Sequence, residues 1–213
     1  DDATTLVDAD FANVTAVANI ETTTSNAAMN ITLGANAQTA VLLNIDGGTA
    51  ADVINASAYT NAVALDVDSG DGADTITGGA GDDVLVGGTG IDTYVFSSTA
   101  VLNGADTITF TADPTSASAD KFDFSSFMAG GSVYNNTTVV QENAAGDVVI
   151  NNKVVLYEGA ASTTLDEVAE IVAELQGAGT DLELGSGAKG VIITGQAGGA
   201  AANTVFFVDD SVG

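Results

Sequence analysis

Three aspartates recur at a fixed interval in the middle of the chain, and each follows a glycine-rich stretch. Asp74, Asp83 and Asp92 are separated by nine residues at each step. Calcium ions prefer carboxylate and backbone carbonyl oxygens and take about six to eight of them. A lone aspartate in a glycine-rich turn more often forms an Asx turn. Because the spacing repeats, we interpret these three aspartates as candidate calcium ligands.

Each of these aspartates takes the sixth place of a nine-residue repeat, at residues 69–77, 78–86 and 87–95. Glycine tolerates positive φ, so glycines at the first, second and fourth places predict tight turns whose carbonyl oxygens point inward. Such carbonyl oxygens would add to the carboxylates as calcium ligands. The candidate glycines at the second and fourth places are Gly70, Gly72, Gly79, Gly81, Gly88 and Gly90.

A less regular copy of the repeat occupies residues 47–55. It keeps Asp52 at the sixth place but has Ala50 at the fourth place, so Asp52 is either a calcium ligand or an Asx-turn residue. A longer repeat is also present, because residues 40–55 match residues 62–77 position by position. A single short strand and turn cannot bury its apolar side chain alone, so these units are expected to stack as a solenoid.

The repeats resemble the calcium-binding nonapeptide of the RTX (repeats-in-toxin) β-roll, G-G-x-G-x-D-x-U-x, in which U is apolar. Residues 78–86 and 87–95 fit every fixed position of this pattern. Residues 69–77 depart from it at one position, where Ser69 replaces the first glycine. Three consecutive copies in register make this resemblance specific.

The resemblance implies that two nonapeptides form one coil and that calcium lies between loops that are two repeats apart. Loop 69–74 is then expected to pair with loop 87–92. Loop 78–83 is expected to pair with residues 60–65 or with the segment after Phe96.

Residues 104–110 and 120–125 resemble the segment that closes RTX rolls in serralysin-type secreted proteins, although Thr109 stands where that segment has an acid. By this resemblance the candidate ligands of a terminal calcium ion are Asp106, Asp120 and Asp123. Alternatively, these acids are polar strand residues on the solvent side. In that case the side chains expected inside are Ile108, Phe110, Phe122 and Phe124.

The composition excludes several kinds of site. The chain has no histidine or cysteine, its only cationic side chains are three lysines, and its formal net charge is −26. Ser-His-Asp catalysis, cysteine nucleophiles, zinc fingers and iron–sulfur clusters are therefore excluded. Nucleic-acid binding is also excluded, because phosphates require a basic surface. No apolar stretch approaches the roughly 18 residues of a membrane span. We assign no catalytic residues and expect no enzymatic activity.

We expect a folded, mainly β protein, since 46% of the residues are hydrophobic and the mean hydropathy is +0.29. The predicted fold is a parallel β-roll or β-solenoid with RTX calcium loops, followed by a small β-rich cap region with one α-helix. The predicted layout is irregular solenoid coils at 1–45, the calcium-binding roll at 46–97, a roll-closing segment at 98–130 and a β-rich region at 131–213.

In the last of these regions, Thr164 and Glu167 form a capping box ahead of an apolar face, which predicts a helix at about 164–176. The dipeptide Asn151-Asn152 predicts a turn that joins antiparallel strands at 147–150 and 153–157. The first residues carry no start methionine, which indicates a processed form or a fragment.

The favoured function is that of a secreted, calcium-binding structural protein on a bacterial cell surface. The Thr/Asn/Ala-rich coils that precede the repeats resemble the lattice-forming parts of RTX-type surface-layer proteins. The family resemblance implies type I secretion, and the surface-layer resemblance implies self-association. A cell-surface polysaccharide is a further candidate partner. The alternatives are a calcium-stiffened adhesin or filament module, or the secretion and folding module of a larger secreted enzyme.

Overall fold

The computed structural model describes residues 4–21, 27–109, 120–127, 133–134, 148–149, 153–158, 182–183, 189–195 and 202–209. In the described residues up to 127, the chain winds as a parallel β-solenoid whose strands alternate between two sheets, A and B. The predicted fold class, a mainly β parallel roll, is confirmed.

Sheet A joins parallel strands and ends with one antiparallel strand, β14. In sheet order its strands are β1 (Thr4–Leu6), β3 (Met29–Thr32), β5 (Val53–Asn55), β8 (Thr75–Thr77), β11 (Thr93–Val95), β13 (Lys121–Asp123) and β14 (Val133–Tyr134).

Sheet B begins with parallel strands and continues into the C-terminal region through the antiparallel pairing of β12 with β19. In sheet order its strands are β2 (Asn19–Glu21), β4 (Asn44–Asp46), β6 (Asp66–Asp68), β9 (Val84–Val86), β12 (Asp106–Thr109), β19 (Ala202–Asp209), β18 (Lys189–Gly195) and β16 (Lys153–Glu158). The two-residue strands are β7 (Asp71–Gly72), β10 (Thr89–Gly90), β15 (Val148–Val149) and β17 (Leu182–Glu183).

The core is a double column of apolar side chains between the sheets. In a three-residue strand the middle side chain points to one face and its neighbours to the other. The stacked inward residues of sheet A are Ile31, Ile54, Ile76, Tyr94 and Phe122. Those of sheet B are Ile45, Val67, Leu85 and Ile108. The match predicted between residues 40–55 and 62–77 is confirmed, because Ile45 pairs with Val67 and Ile54 with Ile76.

The turns between the sheets form two edges. The first edge consists of the turns from sheet B to sheet A and includes loops 47–52, 69–74 and 87–92. The second edge consists of the turns from sheet A to sheet B. Its turns are residues 7–18, 33–43, 56–65, 78–83 and 96–105. The second edge also carries the helix α1 (Ala35–Ala40) and the 3-10 helices η1 (Asp8–Phe11) and η2 (Ala100–Leu102).

Several features of the fold differ from the sequence prediction. Helix α1 lies within the region predicted as irregular coils, where Asp8 of the preceding coil accepts hydrogen bonds from its first N–H groups. Strands β12 and β13 add a further coil beyond residue 97. The hairpin predicted across residues 151–152 is wrong, because β15 pairs with β17 and β16 pairs with β18, both in parallel. The predicted helix at 164–176 lies outside the described residues.

Of the aromatic and aliphatic side chains expected inside the closing segment, Ile108, Phe122 and Phe124 are buried, and Phe110 lies outside the described residues. Phe122 stacks on Tyr94 at 5.5 Å between ring centroids, and Phe124 stacks on Phe96 at 4.6 Å. These stacked rings continue the core into the added coil. Among the described residues, no helix is long and apolar enough to cross a membrane.

Candidate metal centre

Four aspartates form a column along the first edge: Asp52, Asp74, Asp92 and Asp120. Each lies directly before a strand of sheet A, and each is at most 3% exposed. The Oδ1 atom of Asp74 accepts the backbone N–H of Asp52 at 2.7 Å, and Oδ1 of Asp92 accepts that of Asp74 at 2.9 Å. Asp120 repeats this contact with Asp92 at 3.0 Å. The carboxylates are therefore stacked one per coil, and we call them the first-edge column.

Two carboxylate oxygens in this column are buried without a partner. Within the described residues, Oδ2 of Asp74 and Oδ2 of Asp92 make no hydrogen bond. Asp52 differs, because its Oδ2 accepts the N–H of Gly48 at 3.1 Å. Leaving a buried polar group unsatisfied costs about 1–3 kcal/mol, and more for a charged group. Such an atom in a folded protein points to a bound ion or water, and an anionic oxygen favours a cation.

Loops 69–74 and 87–92 share one conformation. The φ angles are 90° at Gly70, 149° at Gly72, 87° at Gly88 and 137° at Gly90. Strands β7 and β10 within these loops pair in parallel, so the predicted pairing of the two loops is confirmed. The prediction of a positive φ at the first place of the repeat is wrong, because Gly87 has no positive φ.

The backbone carbonyls of one loop face the next loop. A Cβ on Gly88 would overlap the carbonyl oxygen of Gly70, and one on Gly90 would overlap that of Gly72. In the part of the chain that the structure describes, no group of three or more acidic side chains could hold a metal ion. Backbone carbonyls would therefore complete a ligand set begun by Asp74 and Asp92. Hard oxygen ligands of these two kinds fit calcium.

Ser69 explains why the first place of its repeat does not need glycine. Its hydroxyl donates a hydrogen bond to the carbonyl oxygen of Gly87 at 2.9 Å, which joins the first places of two stacked loops. The serine therefore adds a contact between the coils and is compatible with the roll.

The metal-free column is electrostatically unfavourable. Burial raises the pKa of Asp74 to about 6; the N–H of Asp52 and the side chain of Ser69 oppose this rise, and the charges of Asp92 and Asp52 add to it. Burial likewise raises the pKa of Asp92, with a further contribution from the charge of Asp120. A divalent cation beside these carboxylates would favour their charged forms, because an opposite charge offsets both burial and repulsion.

On the second edge, Asp83 and Asp106 are stacked in the same way, but both oxygens of Asp83 are hydrogen-bonded. Asp83 accepts the N–H of Leu65 on Oδ1 at 2.8 Å and the N–H of Gly79 on Oδ2 at 2.7 Å. Asp106 accepts the N–H of Asp83 on Oδ1 at 3.0 Å. Burial raises the pKa of Asp83 to about 6, and it raises that of Asp106 well above the ordinary value. Gly79 and Gly81 have no positive φ, which departs from the prediction.

The three acids predicted to share a terminal calcium ion are not brought together. Asp120 belongs to the first-edge column, and Asp106 lies at the second edge. Asp123 lies on strand β13 beside the inward Phe122, and its Oδ1 accepts the N–H of Ser125 at 2.9 Å. Asp106 begins β12 of sheet B, whereas Asp120 directly precedes β13 of sheet A, so the two carboxylates lie on opposite edges.

Sequence reasoning missed one residue at this site, Tyr59. Its side chain is fully buried, its hydroxyl donates to the carbonyl of Leu42 at 2.9 Å, and its own carbonyl accepts the N–H of Ala80 at 3.0 Å. No motif includes Tyr59, and only the stacking of coils brings it against loop 78–83.

A parallel solenoid with stacked glycine–aspartate turns and unpaired buried carboxylate oxygens defines a calcium-binding β-roll. Residues 66–94 match the family model of the RTX calcium-binding nonapeptide repeat (4 copies). Residues 66–94 therefore carry RTX-type calcium-binding repeats, as the sequence predicted. No curated protein matches the chain.

Proposed function

We propose that this protein is a secreted structural protein that folds and assembles on a bacterial cell surface when calcium binds. The observation that carries the proposal is the first-edge column, in which Asp74 and Asp92 each bury an unpaired carboxylate oxygen. Proteins with RTX repeats are typically secreted, which supports an extracellular site of action. We propose no catalytic role for the chain.

Calcium would act by binding the folded roll and not the unfolded chain. The glycine carbonyls and the carboxylates of Asp74 and Asp92 would hold the ion, whose charge offsets their mutual repulsion. A ligand at a hundred times its Kd adds about 2.7 kcal/mol of stability. Extracellular calcium modules have Kd values of about 10⁻⁴ to 10⁻³ M. The roll would therefore stay open in calcium-poor cytosol and close outside the cell.

Self-association is supported by the acidity of the surface. On the outer face of sheet B, Glu21, Asp46 and Asp68 lie in register on neighbouring strands, and all are exposed. Like charges directly opposite each other destabilise a sheet. The formal net charge is −26, and the chain has 29 acidic residues, most of them outside the first-edge column. Divalent cations shared between copies would relieve this repulsion and hold the copies together.

The test is a calcium titration of the chelated protein followed by small-angle X-ray scattering and circular dichroism. Compaction followed by growth into large regular particles is the expected result. Compaction that stops at a monomer would contradict self-assembly and favour an adhesin module or a module of a larger enzyme. An unchanged scattering curve and spectrum would contradict calcium-dependent folding. Asp92→Asn is the matched variant, and it should need more calcium for the same compaction.

A further inference from the structure

We propose that calcium binds along the first edge only, and that loop 78–83 on the second edge is a metal-free turn held by Tyr59. The inference rests on the proposed calcium binding and specifies which edge performs it. Loop 78–83 matches the nonapeptide motif at every fixed position, so sequence alone assigns it a calcium ion.

Neither oxygen of the Asp83 carboxylate is unpaired. Its Oδ1 and Oδ2 accept backbone N–H groups at 2.8 and 2.7 Å, from Leu65 and Gly79. In the loops of Asp74 and Asp92, by contrast, one buried oxygen is unpaired. The difference arises within the loop, because Gly79 donates to the sixth-place aspartate whereas Gly70 donates to Asp68 at 3.2 Å.

Tyr59 lies against loop 78–83. It takes the place that the second-place glycine of the neighbouring loop takes on the first edge. There the third-place N–H groups of Asp71 and Thr89 donate to Gly48 and Gly70, both at 2.9 Å. On the second edge the third-place N–H of Ala80 donates to the carbonyl of Tyr59 instead, at 3.0 Å. The residue equivalent to a second-place glycine is therefore a tyrosine with a fully buried side chain.

The tyrosine side chain packs directly on the loop. A Cβ on Gly79 would lie 3.3 Å from Cδ1 of Tyr59 and 2.8 Å from its carbonyl oxygen. The Tyr59 hydroxyl is anchored one coil further away, on Leu42. The ring thus fills the interior beside loop 78–83.

The turn on the other side of loop 78–83 stacks on it only at the fourth place, where Gly104 has a φ of 67° and a Cβ would overlap the carbonyl oxygen of Gly81. Within residues 96–105, the N–H of Asn103 donates to Ala100 of its own turn at 3.1 Å, because η2 forms there. Asn103 takes the third place counted back from Asp106, so its N–H does not bond to Gly79. Loop 78–83 therefore has no glycine stacked at its second place on either side, where the neighbouring residues are Tyr59 and Leu102.

The first test compares Asp83→Asn with Asp92→Asn by isothermal titration with calcium. Asp92→Asn should bind fewer ions or bind them at least about tenfold more weakly, since even outer-shell changes cost about 10–100-fold in metal affinity. Asp83→Asn should bind the wild-type number of ions with an affinity within about twofold. An equal loss of ions in both variants would overturn the edge assignment while leaving the proposed function intact. A wild-type protein that binds no calcium would contradict the proposed function itself.

The second test measures metal binding at each edge without changing a carboxylate, in case Asp83→Asn does not fold. Terbium replaces calcium, and tyrosine excitation sensitises its emission only at short range. Tyr94 lies by the first edge, since a Cβ on Gly87 would be 2.7 Å from its hydroxyl oxygen. Tyr94→Phe should remove most of the emission, and Tyr59→Phe should leave it unchanged. Loss of emission in Tyr59→Phe, or no loss in either variant, would overturn the proposal.

Discussion

The two edges of the solenoid use the same nonapeptide in different ways. On the first edge, loops 69–74 and 87–92 stack directly and take positive φ at their second and fourth places. On the second edge, loop 78–83 lies between the longer turns 56–65 and 96–105, and Gly79 and Gly81 have no positive φ. A repeat loop therefore takes a conformation that depends on the turn stacked against it.

The same contrast appears in how each edge satisfies its carboxylates. The first-edge column buries unpaired oxygens that suit a cation. On the second edge, backbone N–H groups satisfy the carboxylates instead. Gly79 donates to Asp83, and the first N–H groups of α1 donate to Asp8. The first edge should therefore respond to calcium, and the second should respond to changes in its own side chains.

Calcium removal should give the largest difference between the edges. Amides of loops 69–74 and 87–92 should lose protection from hydrogen exchange by about a hundredfold or more, the factor that corresponds to about 2.7 kcal/mol. Amides of α1 should lose less, because Asp8 holds its N-terminus in the absence of calcium. Exchange measured by mass spectrometry with and without chelator tests this, and equal losses at both edges would contradict it.

Gly90→Ala should be the most damaging single substitution at the first edge. Its φ is 137°, and a Cβ there would overlap the carbonyl oxygen of Gly72. We expect a loss of about 2 kcal/mol or more in the free energy of unfolding with calcium present. Ala50→Gly, at the fourth place of loop 47–52, is the control and should cost less than about 1 kcal/mol. Urea unfolding measures both, and similar costs would refute the steric explanation.

Asp8→Ala should destabilise the second edge regardless of calcium. The carboxylate accepts the N–H of Gly34 at 2.8 Å and of Ala37 at 2.9 Å at the start of α1. Losing a helix cap costs about 0.5–2 kcal/mol. Thermal unfolding with and without calcium should show the same loss, and a loss seen only without calcium would contradict this role. The exposed Asp66→Ala is the control, with an expected change within about 0.5 kcal/mol.

The pH dependence of the calcium-free protein should show a smaller effect. Burial raises the pKa of Asp74 and Asp83 from 3.8 to about 6. Between these pH values the folded state binds more protons than the unfolded state, so the free energy of unfolding falls as pH rises. Calcium should remove this fall at the first edge. Urea midpoints from about pH 4 to 7 measure it, and a rise without calcium would disprove it.

Asp8 should behave with the opposite sign. Burial alone would raise its pKa, but hydrogen bonds from Ala37, Asn36 and Gly34 outweigh burial and lower it. Its contribution to stability is therefore present above the ordinary value of 3.8 and is lost as pH falls below it. In the same series of urea midpoints, Asp8→Ala should abolish the loss of stability below pH 3.8 that Asp8 causes. An unchanged fall in the midpoints at low pH would contradict this role of Asp8.

Much of the roll was predictable because its information is local and periodic. The match between residues 40–55 and 62–77 placed Ile45 on Val67, and the family resemblance, with two nonapeptides per coil, placed Asp74 and Asp92 in stacked loops. Helix α1 was not predictable in the same way, since its six residues have no capping side chain of their own. Its cap is Asp8, which lies 26 residues before Gly34.

The sequence by itself determined the period, the inward apolar column and the set of candidate calcium ligands. Only the tertiary structure decided which aspartates keep a free oxygen, how Asp106, Asp120 and Asp123 separate, and that Tyr59 lies against a loop with a complete motif. The physical reason is that strand and turn preferences act over a few residues. The groups that satisfy or leave open a buried carboxylate come from the neighbouring coil, which lies 18 to 28 residues away in the chain.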